Sequence, residues 1–272
     1  MTVSWSAGSG RLNTGGKELE WRCWGPPPAA GPVIVLLHEG LGCTALWREF
    51  PAGLAQATGC GVFAYSRAGY GFSSAAALPR PLDSMTREAT DVLPAVLDAV
   101  GAGKVILLGH SDGATIAAIY AGSVTDFRVR GLVLMAPYFF TEEGGLAEIA
   151  KAKAGFATGG LKARMAKYHQ DPEATFWGWN DAWLAPGFKT WNVAEVIDYL
   201  RIPVLAIQGR QDQYGTKAQI EELATRIYAP LEIAWLENCR HSPHLEQPEK
   251  TLAVTADFIA RLRRIETVQV AV

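Results

Sequence analysis

The shortages in this chain say more than its abundances. Its 272 residues contain four cysteines, Cys23, Cys43, Cys60 and Cys239, too widely spaced to form a metal-ligand pattern. Free thiols are the expectation in a chain of this size with no visible secretory leader, and Cys43 and Cys239 read as small loop-packing residues. The five histidines include no pair at zinc-ligand spacing, so no catalytic metal and no cofactor are expected. Lysine and arginine total 25 against 27 acidic residues, a formal net charge of −2. That balance leaves no basic excess to attract nucleic acid or an anionic membrane. No apolar run approaches the roughly 20 residues needed to cross a bilayer. The start of the chain, residues 1–11, is polar and rich in glycine and serine, without the basic and apolar stretches of a secretory signal. The expectation is a cytoplasmic protein with a small-molecule substrate and neither a nucleic-acid nor a membrane partner. Nothing in the composition speaks to oligomeric state.

What is present supports a large core. Hydrophobic residues make up 49% and charged residues 19% of the chain, which excludes a disordered protein. Short apolar runs at Val33–Leu37, Gly61–Tyr65, 105–108 and 204–207 end in turn signals. Their unbroken apolar character is what a parallel sheet covered on both faces requires. Residues 132–135 and 232–236 read as two more strands, and 4–24 as a leading hairpin around 13–16. Helices are expected at 45–57, 84–100, 113–121, 218–227 and 248–265, with Ser84 capping the second and Gly101 ending it. Alternating strands and helices indicate an α/β fold with a mostly parallel, doubly wound sheet. The alternation breaks at 138–200, which is too long for a loop. It holds helical runs at 145–155 and 161–169 and then an aromatic-rich stretch containing Phe176, Trp177, Trp179, Trp183, Phe188 and Trp191. The expected organisation is a core of 1–137 and 201–272 with a helical cap inserted at 138–200.

The strongest local signal is the stretch 104–113, an apolar strand running into Gly-His-Ser-Asp-Gly and then a helix of small residues. Gly109, Ser111 and Gly113 fit G-x-S-x-G in the strand–turn–helix setting that motif needs. A nucleophilic serine on so tight a turn requires small neighbours two residues away on each side. Ala114, Ala117 and Ala118 let the following helix pack close to the sheet. The pentapeptide alone occurs by chance in loops; the flanking pattern favours the catalytic reading.

With these motifs the sequence resembles the α/β-hydrolase superfamily, in order from Val33 to Leu262. The resemblance implies Ser111 as nucleophile, Asp212 in the loop after strand 202–207 as the acid, and His241 as the base. His241, Glu246 and Pro248 match the family's histidine loop, with His244 as the runner-up base and Arg240 where a glycine is usual. Arg240 is expected to face solvent. The stretch Leu36-Leu-His-Glu-Gly-Leu-Gly-Cys43 stands where the family places an oxyanion loop, so the implied N–H donors are those of Gly40 and Asp112. Glu39 replaces a glycine there and is expected to turn away onto Arg48 or Arg67. Residues 66–73 resemble a family loop of structural role. The Gly-x-Ser-Asp-Gly elbow is also similar to that of a branch acting on amino-acid esters, in which the aspartate meets a substrate amine. His38 is expected on loop backbone, His110 beneath the elbow, and His169 exposed.

The resemblance implies hydrolysis of a small hydrophobic carboxylic ester, with thioester, lactone or amide as close relatives. Trp177, Trp179, Trp183 and Tyr138 are the expected substrate contacts, with Asn180 and Asp181 as polar ones. A carbon–carbon bond hydrolase of ring-cleavage products and a non-catalytic ligand receptor on the same fold remain open alternatives. A serine nucleophile stands against the dehalogenase and epoxide hydrolase branches, which use aspartate.

Overall fold

A computed structural model describes residues 2–270. Two strands at the start, β1 (Ser9–Thr14) and β2 (Lys17–Trp24), form the hairpin, and Thr14 pairs with Lys17 across it. Gly15 and Gly16 between them have φ of 56° and 82°, the left-handed geometry that two-residue hairpin turns demand. Pairing begins at Ser9, later than the expected hairpin, because Trp5–Ala7 coils into a short 3₁₀ turn.

The remaining strands are β3 (Val33–Leu37), β4 (Gly61–Tyr65), β5 (Val105–His110), β6 (Val129–Met135), β7 (Val204–Gly209) and β8 (Leu231–Leu236). The sheet order is β1-β2-β4-β3-β5-β6-β7-β8. β1 and β2 pair antiparallel, as do β2 and β4, and every other pairing is parallel. Every residue of β3, β4, β5 and β7 is buried, whereas β1 at one edge alternates and β8 at the other is only partly covered. Continuous apolar runs thus mark the centre of the sheet. Their side chains divide between two cores, with Val33, Val35 and Leu37 facing one layer and Ile34 and Leu36 the other.

The helices are α1 (Phe50–Thr58), α2 (Ser84–Arg87), α3 (Leu93–Val100), α4 (Asp112–Ser123), α5 (Glu143–Thr158), α6 (Leu161–Met165), α7 (Pro172–Trp183), α8 (Lys217–Arg226), α9 (Pro243–Glu246) and α10 (Pro248–Val270). Two expected helices are interrupted, each by a proline. The run 45–57 splits into a 3₁₀ turn at Thr44–Trp47 and α1, with Arg48 at φ 52° between them. Pro51 has no N–H to give an earlier turn, so it sits in the first turn of a new helix. The run 84–100 becomes α2 and α3 joined by a wider π turn at Glu88–Val92. Pro94 can neither bond nor closely approach the carbonyl four residues back, and the wider turn relieves that conflict. Ser84 does not cap α2: Asp83 holds the capping position, without a side-chain bond. Gly101 ends α3 at φ 71°.

The chain order reverses at β3, which lies between β4 and β5. Loops at the carboxyl ends of the parallel strands therefore gather on one edge, beside the switch point where α/β sheets place ligands. Between β6 and β7 stand α5, α6 and α7 with 3₁₀ turns at Pro186–Thr190 and Ala194–Tyr199. α7 starts where Asp171 accepts from the Ala174 N–H at 2.9 Å and Pro172 supplies a pre-set φ. Among the described residues no helix is long and apolar enough to cross a membrane.

Candidate active site

β5 ends at His110 and α4 begins at Asp112, which leaves Ser111 alone on the turn at φ 55° and ψ −119°. A non-glycine residue held there costs about 1–3 kcal/mol and persists only where its surroundings fix it. Here the Ser111 N–H donates to the Met135 carbonyl at 2.9 Å, and the Ser111 carbonyl accepts from Ala114 at 2.9 Å and Thr115 at 3.1 Å. The flanking glycines are needed for space. A Cβ on Gly109 would stand 2.2 Å from the Gly113 carbonyl oxygen, and one on Gly113 only 1.9 Å from that of Leu37.

The structure brings His241 and Asp212 to this serine. His241 Nε2 is 2.9 Å from Ser111 Oγ, and its Nδ1 is 2.9 Å from each Asp212 oxygen. Asp212 sits in the loop after β7, and His241 in the loop after β8. Asp212 Oδ1 also accepts from the N–H groups of Tyr214 at 2.8 Å and Gly215 at 3.3 Å, while Oδ2 accepts from Gln208 Nε2 at 2.9 Å. Burial pushes the Asp212 pKa up, but the His241 ring and these backbone donors outweigh it, so the carboxyl lies below its ordinary value. An ionised carboxylate can only accept, so Nδ1 carries the proton and Nε2 keeps its lone pair toward the serine hydroxyl. The His241 backbone is tied down as well, because His110 Nε2 donates to its carbonyl at 2.7 Å. His244 faces Trp47 and Phe50 at ring separations of 4.9 and 5.6 Å, and burial lowers its pKa to about 3. It makes no hydrogen bond to Ser111. Arg240 is exposed, and its N–H is held by Glu246 Oε2 at 2.8 Å.

The loop after β3 is oriented from beneath. The Glu39 carbonyl accepts from His38 Nδ1 at 2.7 Å and from Arg67 Nη2 at 3.0 Å, and Arg67 Nη1 takes the His38 carbonyl. In a trans peptide the C=O and the next N–H point opposite ways. Holding the Glu39 carbonyl therefore turns the Gly40 N–H away from Arg67. Gly40 and Asp112 border one cavity with Ser111. A Cβ on Gly40 would lie 2.2 Å from Trp179 Nε1, so only glycine lets the indole close over the loop.

Three expectations for charged groups here need correction. The Glu39 carboxylate does not meet Arg48 or Arg67. With Arg67 engaged by two carbonyls, Glu39 folds back over Gly42 and faces His110 Nδ1 at 3.6 Å. Burial would raise the Glu39 pKa; His110 more than offsets this, and the carboxyl is held well below the usual range. The Asp112 carboxylate is not free for a substrate amine, since it bonds the Tyr138 hydroxyl and lies 3.9 Å from Arg67 Nη2. His169 is buried rather than exposed: Nδ1 accepts from the Gly71 N–H and Nε2 donates to the Leu41 carbonyl, each at 3.0 Å.

The cavity over Ser111 has a volume of about 140 Å³. Trp179, Trp183 and Tyr138 line it; Trp177 does not. Two residues along a helix is about 200° of rotation, so Trp177 and Trp179 lie on opposite sides of α7. Trp177 instead packs edge-on against Phe156 and Phe176, with its N–H on Glu173. Asn180 is fully buried and donates to the Ile149 carbonyl at 2.9 Å, tying α7 to α5, while Asp181 is exposed. Residues with no sequence signal complete the wall: Phe140, Leu146, Ile149, Tyr214, Glu142 and Gln219. Gln219 of α8 accepts from the Phe139 N–H at 2.7 Å and donates to the Phe140 carbonyl at 3.0 Å and to Glu142 at 2.7 Å. Glu142 also accepts from the Thr216 N–H at 2.9 Å, which joins the stretch just before α5 to the Asp212 loop.

Residues 34–254 match the model of the alpha/beta hydrolase family. Monoacylglycerol lipase ABHD6 of Homo sapiens is 32% identical over 76 residues, 28% of this chain and 22% of that protein. Its Bos taurus counterpart is 34% identical over 70 residues, 26% and 20% of the two chains. The matched stretch thus spans about a fifth of the length of these relatives. The enol-lactonase of Burkholderia xenovorans superposes with a TM-score of 0.73 at 19% identity, covering 92% of this chain and all of that one. The esterase RhEst1 of a Rhodococcus species gives 0.71 at 22% identity over 94% of this chain and 99% of its own. At these identities the shared property is the fold.

Proposed function

The chain belongs to the alpha/beta hydrolase family, and from that premise we propose that it is a serine hydrolase cleaving a small, neutral, hydrophobic carboxylic ester through an acyl-enzyme. The observation that carries this reading is the continuous hydrogen-bond chain from Ser111 through His241 to Asp212, 2.9 Å at each link. His241 takes the serine proton as Oγ attacks the carbonyl carbon. The N–H groups of Gly40 and Asp112 receive the oxyanion, each worth roughly 3–4 kcal/mol. His241 then protonates the leaving alcohol, and water deacylates the serine by the same route. The insertion at 138–200 acts as a cap, since residues of α5 and α7 roof the cavity over Ser111. Thioesters, lactones and amides suit the same steps, and the likeness to a lipase and the fold shared with a lactonase and an esterase support acyl chemistry.

Charge narrows the substrate. Glu39, Asp112 and Glu142 line the cavity, and among the described residues no lysine or arginine does. A substrate carboxylate would enter an apolar space beside carboxylates with nothing to pair it. Acidic ring-cleavage products therefore fit poorly, which disfavours the carbon–carbon bond hydrolase. A fluorophosphonate probe should label Ser111 and fail on Ser111→Ala, while nitrophenyl esters of graded acyl length should turn over with a short-chain optimum. Absence of labelling together with absence of turnover would leave a non-catalytic receptor as the better account.

A further inference from the structure

Glu39 stands where the family pattern has glycine, and the mechanism above makes no use of its side chain. The carboxylate folds back over Gly42, into space that a Cβ on Gly42 would fill, and its Oε2 faces His110 Nδ1 at 3.6 Å. The His110 side chain is 1% exposed and that of Glu39 27%. On its other side the same imidazole donates from Nε2 to the His241 carbonyl at 2.7 Å. His110 ends β5 and directly precedes Ser111, while Glu39 directly precedes Gly40. One ring therefore stands between the loop after β3 and the loop after β8, beside the serine turn.

The partners fix the number of protons. A carbonyl oxygen only accepts, so Nε2 carries a hydrogen. Nδ1 faces a carboxylate oxygen, which a bare lone pair would repel. An imidazole is a stronger base than a carboxylate, so the second hydrogen lies on Nδ1 and His110 is an imidazolium paired with an ionised Glu39. The surrounding groups are otherwise engaged. The His244 ring of α9, 4.9 Å from His110, is kept neutral by burial, with its pKa lowered to about 3. The His241 ring, 5.2 Å away, has its Nδ1 on Asp212. Asp112 faces Arg67, whose guanidinium takes the His38 and Glu39 carbonyls. Burial pulls the His110 pKa down, but Glu39 and the His241 carbonyl outweigh it, and the ring titrates above its ordinary value. Packing does not ask for such a pair, since apolar side chains of similar volume are often as stabilising.

Building on the serine-hydrolase reading, we propose that His110 and Glu39 are positioning residues, and that the second proton of His110 fastens the Gly40 loop and the His241 loop into one frame around Ser111. While it is bound, the ring draws Glu39, and with it the Gly40 peptide, toward the end of β5, and holds the His241 carbonyl as well. The pair is neutral overall, so it adds no net charge against the imidazolium that forms when His241 takes the serine proton. As the pH rises through the raised His110 value, the ring keeps its hydrogen on His241 and turns a lone pair to the Glu39 carboxylate. The carboxylate is repelled, and the Gly40 N–H moves with it. An oxyanion donor engages the charged intermediate more than the bound ester, so the loss falls on kcat rather than KM.

Fluorophosphonate labelling of the parent protein decides the serine-hydrolase reading by itself, and the proton is read without substrate. In protein carrying isotope-labelled histidine, nitrogen magnetic resonance near pH 7.5 should show a ring with hydrogen on both nitrogens, assigned by its loss in His110→Asn. In Glu39→Gln the His110 ring should hold one hydrogen at the same pH. Given labelling, kcat for a short-chain nitrophenyl ester should fall on the alkaline side where the parent ring loses its second hydrogen, with KM steady. Glu39→Gln should lack this alkaline limb, since its amide donates to Nδ1 at every pH. Glu39→Ala, which ties the loop at no pH, should lose roughly tenfold in kcat. A His110 ring with a single hydrogen near pH 7.5 in the parent overturns the proposal, as does an alkaline limb that Glu39→Gln leaves in place. Glu39→Ala with the kcat of the parent overturns the positioning role.

Discussion

Gly113→Ala tests whether the serine turn and the proposed oxyanion loop after β3 are one mechanical unit. The added methyl would lie 1.9 Å from the Leu37 carbonyl oxygen, 2.4 Å from its carbon and 2.8 Å from the His38 oxygen. All three are backbone atoms, so no side chain can swing aside. To reach an ordinary contact, the end of β3 or the start of α4 must retreat by roughly 1 Å. Overpacking of this kind costs about 1–3 kcal/mol. In a chain of this size the melting temperature should then drop by roughly 3–10 °C. Leu37 runs directly into His38, Glu39 and Gly40, so the same retreat carries one proposed oxyanion donor with it. A displacement near 1 Å at a reacting centre lowers kcat by about a hundredfold. Calorimetry and ester turnover on the folded variant read the two effects separately. Gly144→Ala is the control, since a Cβ there meets nothing within 4 Å and a helix gains from alanine. Should Gly113→Ala melt and turn over like the parent, the tight coupling of β3 to α4 is wrong.

Asp212→Asn places an amide among donors that need an acceptor, so kcat should fall about ten-thousand-fold with the fold retained, as steady-state rates and circular dichroism will tell. Glu142→Gln should ease entry of an anionic acyl ester, raising its kcat/KM by on the order of tenfold while the neutral analogue changes little. Hydrogen bonds from Arg128 hold Asp126 at about 2, so its contribution is present above the unfolded value near 4 and lost as the pH falls toward 2. Urea titrations at several pH values should show that acid limb flattened in Asp126→Asn. Burial pushes Cys43 up to about 12 and Cys239 to about 11, so neither thiol should react with iodoacetamide in the folded protein near pH 7.5, and both should react in urea.

The central strands and the serine turn were legible in the sequence for one reason. Each depends on local rules: a doubly covered strand must be apolar throughout, and a serine on a turn between strand and helix must have glycine two residues to either side. Asp212 and His241 came from the resemblance to the family, which implies an acid and a base in the loops past two later strands. Partners set by three-dimensional approach left no such trace. Glu39 and Arg67 are 28 positions apart, and which of the two carboxylates, Glu39 or Asp112, the guanidinium faces depends on carbonyls that already occupy it. His169 looked like a surface residue because its partners, Gly71 and Leu41, belong to other loops. Trp177 was misplaced through counting aromatics without their helical phase. Gln219 carried no signal at all, although it clasps the wall of the cavity from a different helix.

β6 and β7 are parallel neighbours, so the chain between them owes the sheet only one crossover, about a dozen residues. The excursion carried there is several times that length, and it leaves and rejoins the body through two closely spaced points. The surplus is what roofs the serine: Ile149 and Trp183 stand on the cavity wall, and His169 reaches back to hold two loops of the body.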